Sequence, residues 1–125
     1  MRKSSITNIN PFYSDIDANT KNNKAYRRVV YTVPGSMQLV LMSIPPNDEI
    51  HKETHPHTTQ FIKVEGGVGV ATIGDKKFAL APGISVVIPP NTEHHIQNSS
   101  GNTPLSLYTI YTPPEHPEGL VQVKK

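Results

Sequence analysis

A chain of 125 residues has the size of one domain, large enough to bury roughly two-thirds of the surface its unfolded form would expose. Its formal charge is only +2, and its basic residues come as scattered pairs (Arg27-Arg28, Lys76-Lys77, Lys124-Lys125), not the stripe that a nucleic-acid backbone requires. The absence of cysteine excludes disulfides, thiolate metal ligands and a thiol nucleophile, so any metal must be held by nitrogen and oxygen.

The N-terminal stretch MRKSSITNINPF lacks the apolar run of a signal peptide, and no segment reaches the length of a membrane span. A cytoplasmic protein is the expectation. Residues 1–23 are polar and rich in Asn and Ser, which predicts a flexible N-terminal arm. From residue 24 to 125 the pattern is that of one β domain with a Pro-rich C-terminal tail. YRRVVYTV, SMQLVLMSI, QFIKVE, VGVATIG, KKFAL, ISVVI, HHIQN and PLSLYTIY alternate with PG, PPND, GG, GDKK, APG, PPNTE and SSGN. Short β-branched and aromatic runs divided by turn residues predict an all-β sandwich or small barrel. No capped helical stripe stands out.

Strand parity assigns faces, because alternate residues point to opposite sides. In QFIKVE, Gln60 shares a face with Ile62 and Val64, which leaves Lys63 and Glu65 toward water. In HHIQN, His94 shares a face with Ile96, and His95 does not. MQLVLMSI is apolar on both faces. Its outer side therefore needs a cover, either the N-terminal arm or a second subunit, and a homodimer is expected.

The segment HKETHPHTTQF concentrates the chemistry. His55, His57 and Gln60, joined by His94 from a later strand, form a candidate set of metal ligands. Imidazole and amide oxygen suit Fe, Mn, Ni, Co, Cu or Zn, without choosing among them. His55 and His57 have the same parity, whereas Gln60 needs a bend in between before all three converge. His51, Glu49 and Glu53 lie in a polar stretch and are read as solvated. Asn98 is read as a turn stabiliser. Tyr31, Tyr108 and Tyr111 are read first as packing residues. Tyr31, Tyr108 and His116 are nonetheless the candidates for a catalytic base, His116 on condition that the tail crosses the barrel mouth. Nothing in the chain supports a Ser–His–Asp arrangement, a phosphate-cradling loop or a nicotinamide fingerprint.

From about Tyr26 onward the sequence resembles the cupins, in particular short single-domain cupins with Gln where the first motif usually has Glu. That motif combines HxH, a Glu and a later Gly; His55, His57, Gln60 and Gly67 meet it with a shortened gap before Gln60. The second motif, G-x5-P-x-G-x2-H-x3-N, is met by Gly83, Pro89, His94 and Asn98, with Asn91 at the middle glycine. Asn tolerates the left-handed backbone such a glycine provides. The resemblance implies an antiparallel jelly-roll barrel, a metal at one mouth and a dimer. A metal-dependent oxygenase-like or isomerase-like activity on a small anionic or hydroxylated molecule is then expected. A non-catalytic cupin that binds or senses a sugar-like small molecule is the alternative. Three neutral imidazoles and a neutral amide would leave a divalent ion its full charge, which favours anionic ligands.

Overall fold

The structure, a computed structural model, describes residues 10–125. A short helix α1 (Ile16–Asn22) precedes β1 (Arg27–Val33), β2 (Met37–Ile44), β3 (Glu49–Glu53), β4 (Thr59–Gly66) and β5 (Gly69–Ile73). There follow β6 (Lys76–Leu80), β7 (Ser85–Ile88), β8 (His94–Asn98), β9 (Leu105–Thr112) and β10 (Val121–Gln122). All pairings are antiparallel. One sheet runs β10-β1-β2-β9-β4-β7 and the other β3-β8-β5-β6. Two sheets with these crossing connections make the expected jelly-roll barrel.

Register explains the core. Paired residues point to the same side, so Val40, Met42 and Ile44 of β2 meet Thr109, Leu107 and Leu105 of β9. Across β9 they are continued by Ile62 and Val64 of β4, and Ile96 and Ala71 close the layer from the other sheet. All eight runs read from sequence are strands. Two strands escaped that reading: β3, because EIHKE carries a single apolar residue, and the two-residue β10.

The polar arm also contains more order than its composition suggested. Asp15 caps α1 by accepting a hydrogen bond from the Ala18 amide at 3.1 Å, with Asp17 in the first turn and Lys21 in the last. Seven residues are too few to display a periodic stripe, and the helix is held by packing across β2, β4 and β9. Its presence answers the question raised by the doubly apolar β2: outward-facing Leu41 is only 3 % exposed, and Thr20 of the helix is fully buried. Residues 1–9 of the expected arm lie outside the described residues.

Two other departures have local causes. Glu65, expected to face water, is 8 % exposed and pairs with Lys63 at 3.0 Å, at a point where β4 shifts register against β9 and α1 lies nearby. In β1 the register shifts between Val29 and Tyr31, leaving Val30 unpaired. Such a bulge inverts parity beyond it. Arg27 and Val29 therefore pair with the inward residues Met42 and Val40, while Tyr31 pairs with Leu39 on the outer face.

Candidate metal centre

At one end of the barrel both sheets present polar residues inward. Glu53, the last residue of β3, is in register with His94, the first of β8; Gln60, near the start of β4, is in register with Tyr111 near the end of β9. His55 lies just beyond β3. Its side chain lies beside that of Glu53, Nε2 to Oε1 3.4 Å, and Asn91, in a left-handed conformation (φ 58°), donates its amide to the His55 carbonyl at 2.7 Å. The turn before β8 thus holds the loop after β3, which brings the two motifs together.

One ligand atom from each of Glu53, His55 and His94 lies within 4.8 Å of the others. His94 Nδ1 is 2.9 Å from the Thr92 carbonyl, which can only accept, so the proton is on Nδ1 and the Nε2 lone pair is free. Among the described residues Nε2 is buried without a partner. His55 Nδ1 faces Glu115 Oε1 at 3.2 Å, and its buried Nε2 lies 3.4 Å from Glu53 Oε1 without a hydrogen bond. Gln60 donates Nε2 to Thr109 Oγ1 at 3.0 Å, which leaves Oε1 buried and unpartnered. Three acceptor atoms lacking a donor among the described residues, two of them oriented by a hydrogen bond at the other end and His55 by its contact with Glu115, suit a cation. The donor set fits a divalent transition metal.

His57 is not brought into this group. The backbone bends at Pro56 and His57, and the imidazole is exposed. Parity predicts convergence only while a strand continues, and the strand has ended. Glu53, read from sequence as a solvated charge, is brought in instead. With Glu53-x-His55 as the pair, the shortened gap before Gln60 disappears, and this spacing was the signal available in the sequence. The charge balance changes accordingly: one carboxylate among the candidate ligands offsets part of a divalent charge that the all-neutral set would have left intact.

The C-terminal tail crosses this end of the barrel. Gln38, fully buried on β2, accepts from the Glu115 and His116 amides at 3.2 and 3.0 Å and donates to the His116 carbonyl at 2.8 Å. Glu115 also accepts from Thr58 Oγ1 at 2.5 Å. The His116 ring stands edge-on to Tyr111, with centroids 5.2 Å apart, and Tyr111 in turn meets His55 at 5.9 Å. Burial lowers the His116 pKa, and the Arg27 charge lowers it further. Burial likewise lowers that of His94, opposed by its bond to Thr92. Burial pushes the Tyr111 hydroxyl far above the usual tyrosine range, so it stays protonated.

The other singled-out residues are placed elsewhere. Tyr31, turned outward by the bulge, stacks on Phe12 at 5.0 Å and donates to the Asn10 carbonyl. Tyr108 faces outward against Phe61. His95 contacts Glu49, and His51 is exposed. Asn98 donates to the carbonyls of Ile44, Pro45 and Thr103 and accepts from the Ser100 amide, a turn stabiliser as read. Gly67 has φ 85°, and a Cβ there would run into the Pro104 carbonyl. Among the described residues no helix is long and apolar enough to cross a membrane.

Comparison with known proteins agrees with this architecture. A family profile described as a cupin domain matches residues 40–111. A protein of Acanthamoeba polyphaga mimivirus is 43% identical over 124 residues, covering 96% of this chain and 77% of its own length. The protein YrkC of Bacillus subtilis is 37% identical over 92% of this chain and 64% of its own length. Among solved structures, the Bacillus halodurans protein BH2720 superposes with a TM-score of 0.88 at 38% identity, covering 92% of this chain and 90% of that one. A Thermus thermophilus protein, TT1209, shares the fold with a TM-score of 0.70 at 21% identity, over 81% of this chain and 96% of that one. With both histidine-bearing segments folded to one mouth of a jelly roll, and with these relatives, the chain belongs to the cupin family.

Proposed function

We propose that this cupin holds one divalent transition metal through Glu53, His55 and His94, with the Gln60 amide oxygen as a neutral fourth group, and acts on a small anionic or hydroxylated molecule. The observation that carries the reading is the convergence of Glu53, His55 and His94 with both Nε2 atoms buried and unpartnered. His57, expected from sequence as a ligand, has no place in the proposed set because of its exposure. When bound, the ion would supply a Lewis acid or, for iron, manganese or copper, a redox centre.

The chain's own residues define the rest. His116 is kept neutral by burial, and its Nε2 is without a partner among the described residues, so it is the candidate to take and return a proton in an isomerase-like reaction. Tyr111 stays protonated, so its hydroxyl can hydrogen-bond a bound molecule but not serve as a base. Glu115 faces His55, and Gln38 holds the tail across this end of the barrel. Oxygenase-like and isomerase-like chemistry both remain within the proposal, in a cytoplasmic protein without cysteine.

A homodimer is also part of it. The register places Tyr31, Leu39, Ile110, Phe61 and Val87 in one row across the outer face of the larger sheet, with Val87 59% exposed. A second copy covering that row would remove it from water. Sedimentation should give a dimer at micromolar concentration, and Phe61→Glu a monomer. A wild-type monomer would refute the assembly.

The functional test starts with metal analysis of the purified protein. A thermal-shift ligand screen with Fe(II), Mn and Zn each supplied follows, and hits are assayed for conversion by mass spectrometry and for oxygen uptake. Product that requires both metal and His94 supports an enzyme. Tight binding without conversion favours the non-catalytic binding or sensing reading.

A further inference from the structure

Arg27 is the least explained residue near the centre. It lies on the inward face of β1, in register with buried Met42 of β2 and with Gln122 of β10. Its guanidinium lies over the Tyr26 ring, 5.3 Å from the centroid, and Nη1 donates to Gln122 Oε1 at 2.7 Å. Nε is buried and has no partner among the described residues. No carboxylate pairs with this side chain among those residues, and the first nine residues of the chain contain none. A guanidinium cannot shed its proton to escape burial. A half-buried cation with a neutral partner on one side and a buried, unpartnered Nε on the other is suited to an anion.

The location connects it to the centre. The Arg27 charge bears on both Tyr111 and His116, the two rings that lead through T-shaped contacts to His55. With Nη1 engaged by Gln122, Nε and Nη2 form an edge of two parallel N–H groups, the geometry that fits the two oxygens of a carboxylate. We propose that this Arg27 edge receives a carboxylate of the molecule that enters the Glu53–His55–His94 centre. The proposal rests on the reading of that centre and narrows its ligand class: a small carboxylic acid, held at one end by Arg27 and presented at the other to the metal-binding residues. Tyr26 and Gln122 position the guanidinium, so β10 joins the tail in building the site.

The test compares wild-type protein with Arg27→Gln, each loaded with Co(II), whose visible absorption and stoichiometry report the metal independently of any ligand. Acetate, glycolate and succinate are titrated by calorimetry against acetamide, glycolamide and succinamide, with inorganic phosphate alongside. At least one carboxylate should bind wild type and weaken tenfold or more in Arg27→Gln, its amide should not change, and Co(II) should stay unchanged in both. Equal carboxylate affinity in the two proteins overturns the proposal, as does the absence of saturable carboxylate binding by wild type. A loss confined to phosphate overturns the carboxylate assignment. If wild type fails to take up Co(II), the reading of the centre fails, and the same titrations on metal-free protein still decide Arg27. Should Arg27→Gln not fold by circular dichroism, Arg27→Lys serves instead, since an ammonium keeps the charge and loses the two-donor edge. Carboxylate binding by Arg27→Lys as tight as wild type then overturns the proposal.

Discussion

Strand β8 begins with one buried polar residue and ends with another, and the two ends have opposite hydrogen-bonding character. At the far end Asn98 is fully satisfied: its amide donates to three carbonyls, and its oxygen accepts the Ser100 amide. At the near end His94 spends Nδ1 on Thr92 and leaves Nε2 without a partner among the described residues, in a group with His55 and Glu53, while His55 Nε2 and Gln60 Oε1 are likewise unpartnered. Burying a polar atom is costly unless something pairs with it. The satisfied end therefore serves the fold, and the unsatisfied end is suited to something the chain does not itself contain. Burial alone does not distinguish the two, since both residues are buried.

That contrast can be broken at either end. The largest effect is expected from His94→Ala, which should abolish stoichiometric metal by elemental analysis, while His95→Ala and His57→Ala retain it. Equal retention in His94→Ala and His95→Ala would sink the assignment. At the other end, Asn98→Ala removes the side-chain donor to the Ile44, Pro45 and Thr103 carbonyls and the acceptor for the Ser100 amide, although the Pro45 carbonyl keeps the Asp48 amide. It should cost about 2–4 kcal/mol and lower the melting temperature by roughly 10 °C. Metal content per folded molecule should stay as in wild type, because Asn98 touches no ligand. Metal loss at preserved stability would mean that the two ends are not separable.

Between these extremes, Glu115→Gln probes the group that orients His55. Partners of this kind typically change metal affinity by about 10- to 100-fold, here read by competition with a chelator. An unchanged affinity would reduce the tail to packing. The smallest effect concerns pH. His94 and His116 are both held below their ordinary value of 6.5 by burial, so the unfolded chain takes up protons that the folded chain refuses. Their contribution is fully present above about 6.5 and is lost as pH falls from there toward the folded-state values. The metal-free protein should melt at lower temperature at pH 5 than at pH 7.5, and His116→Gln should flatten part of that slope. A slope unchanged in the variant would show that His116 is not buried in the neutral form.

Much of this was readable one strand at a time. Alternation placed Gln60 and His94 inward and His95 outward, the turn residues separated eight strands, and the lack of cysteine restricted a metal to nitrogen and oxygen donors. These are local properties, set by the two-residue period of an extended backbone and by side-chain chemistry. What only the tertiary structure decided depends on where a strand stops, slips or is covered. The bend at Pro56 leaves His57 exposed and Glu53 beside His55; the unpaired Val30 turns Tyr31 away from the barrel; α1 covers Leu41. Gln38 draws Glu115 and His116 over the mouth from far along the chain, and β10 brings Gln122 to Arg27. Parity carries no information about register between distant segments, and convergence at a site is a matter of register.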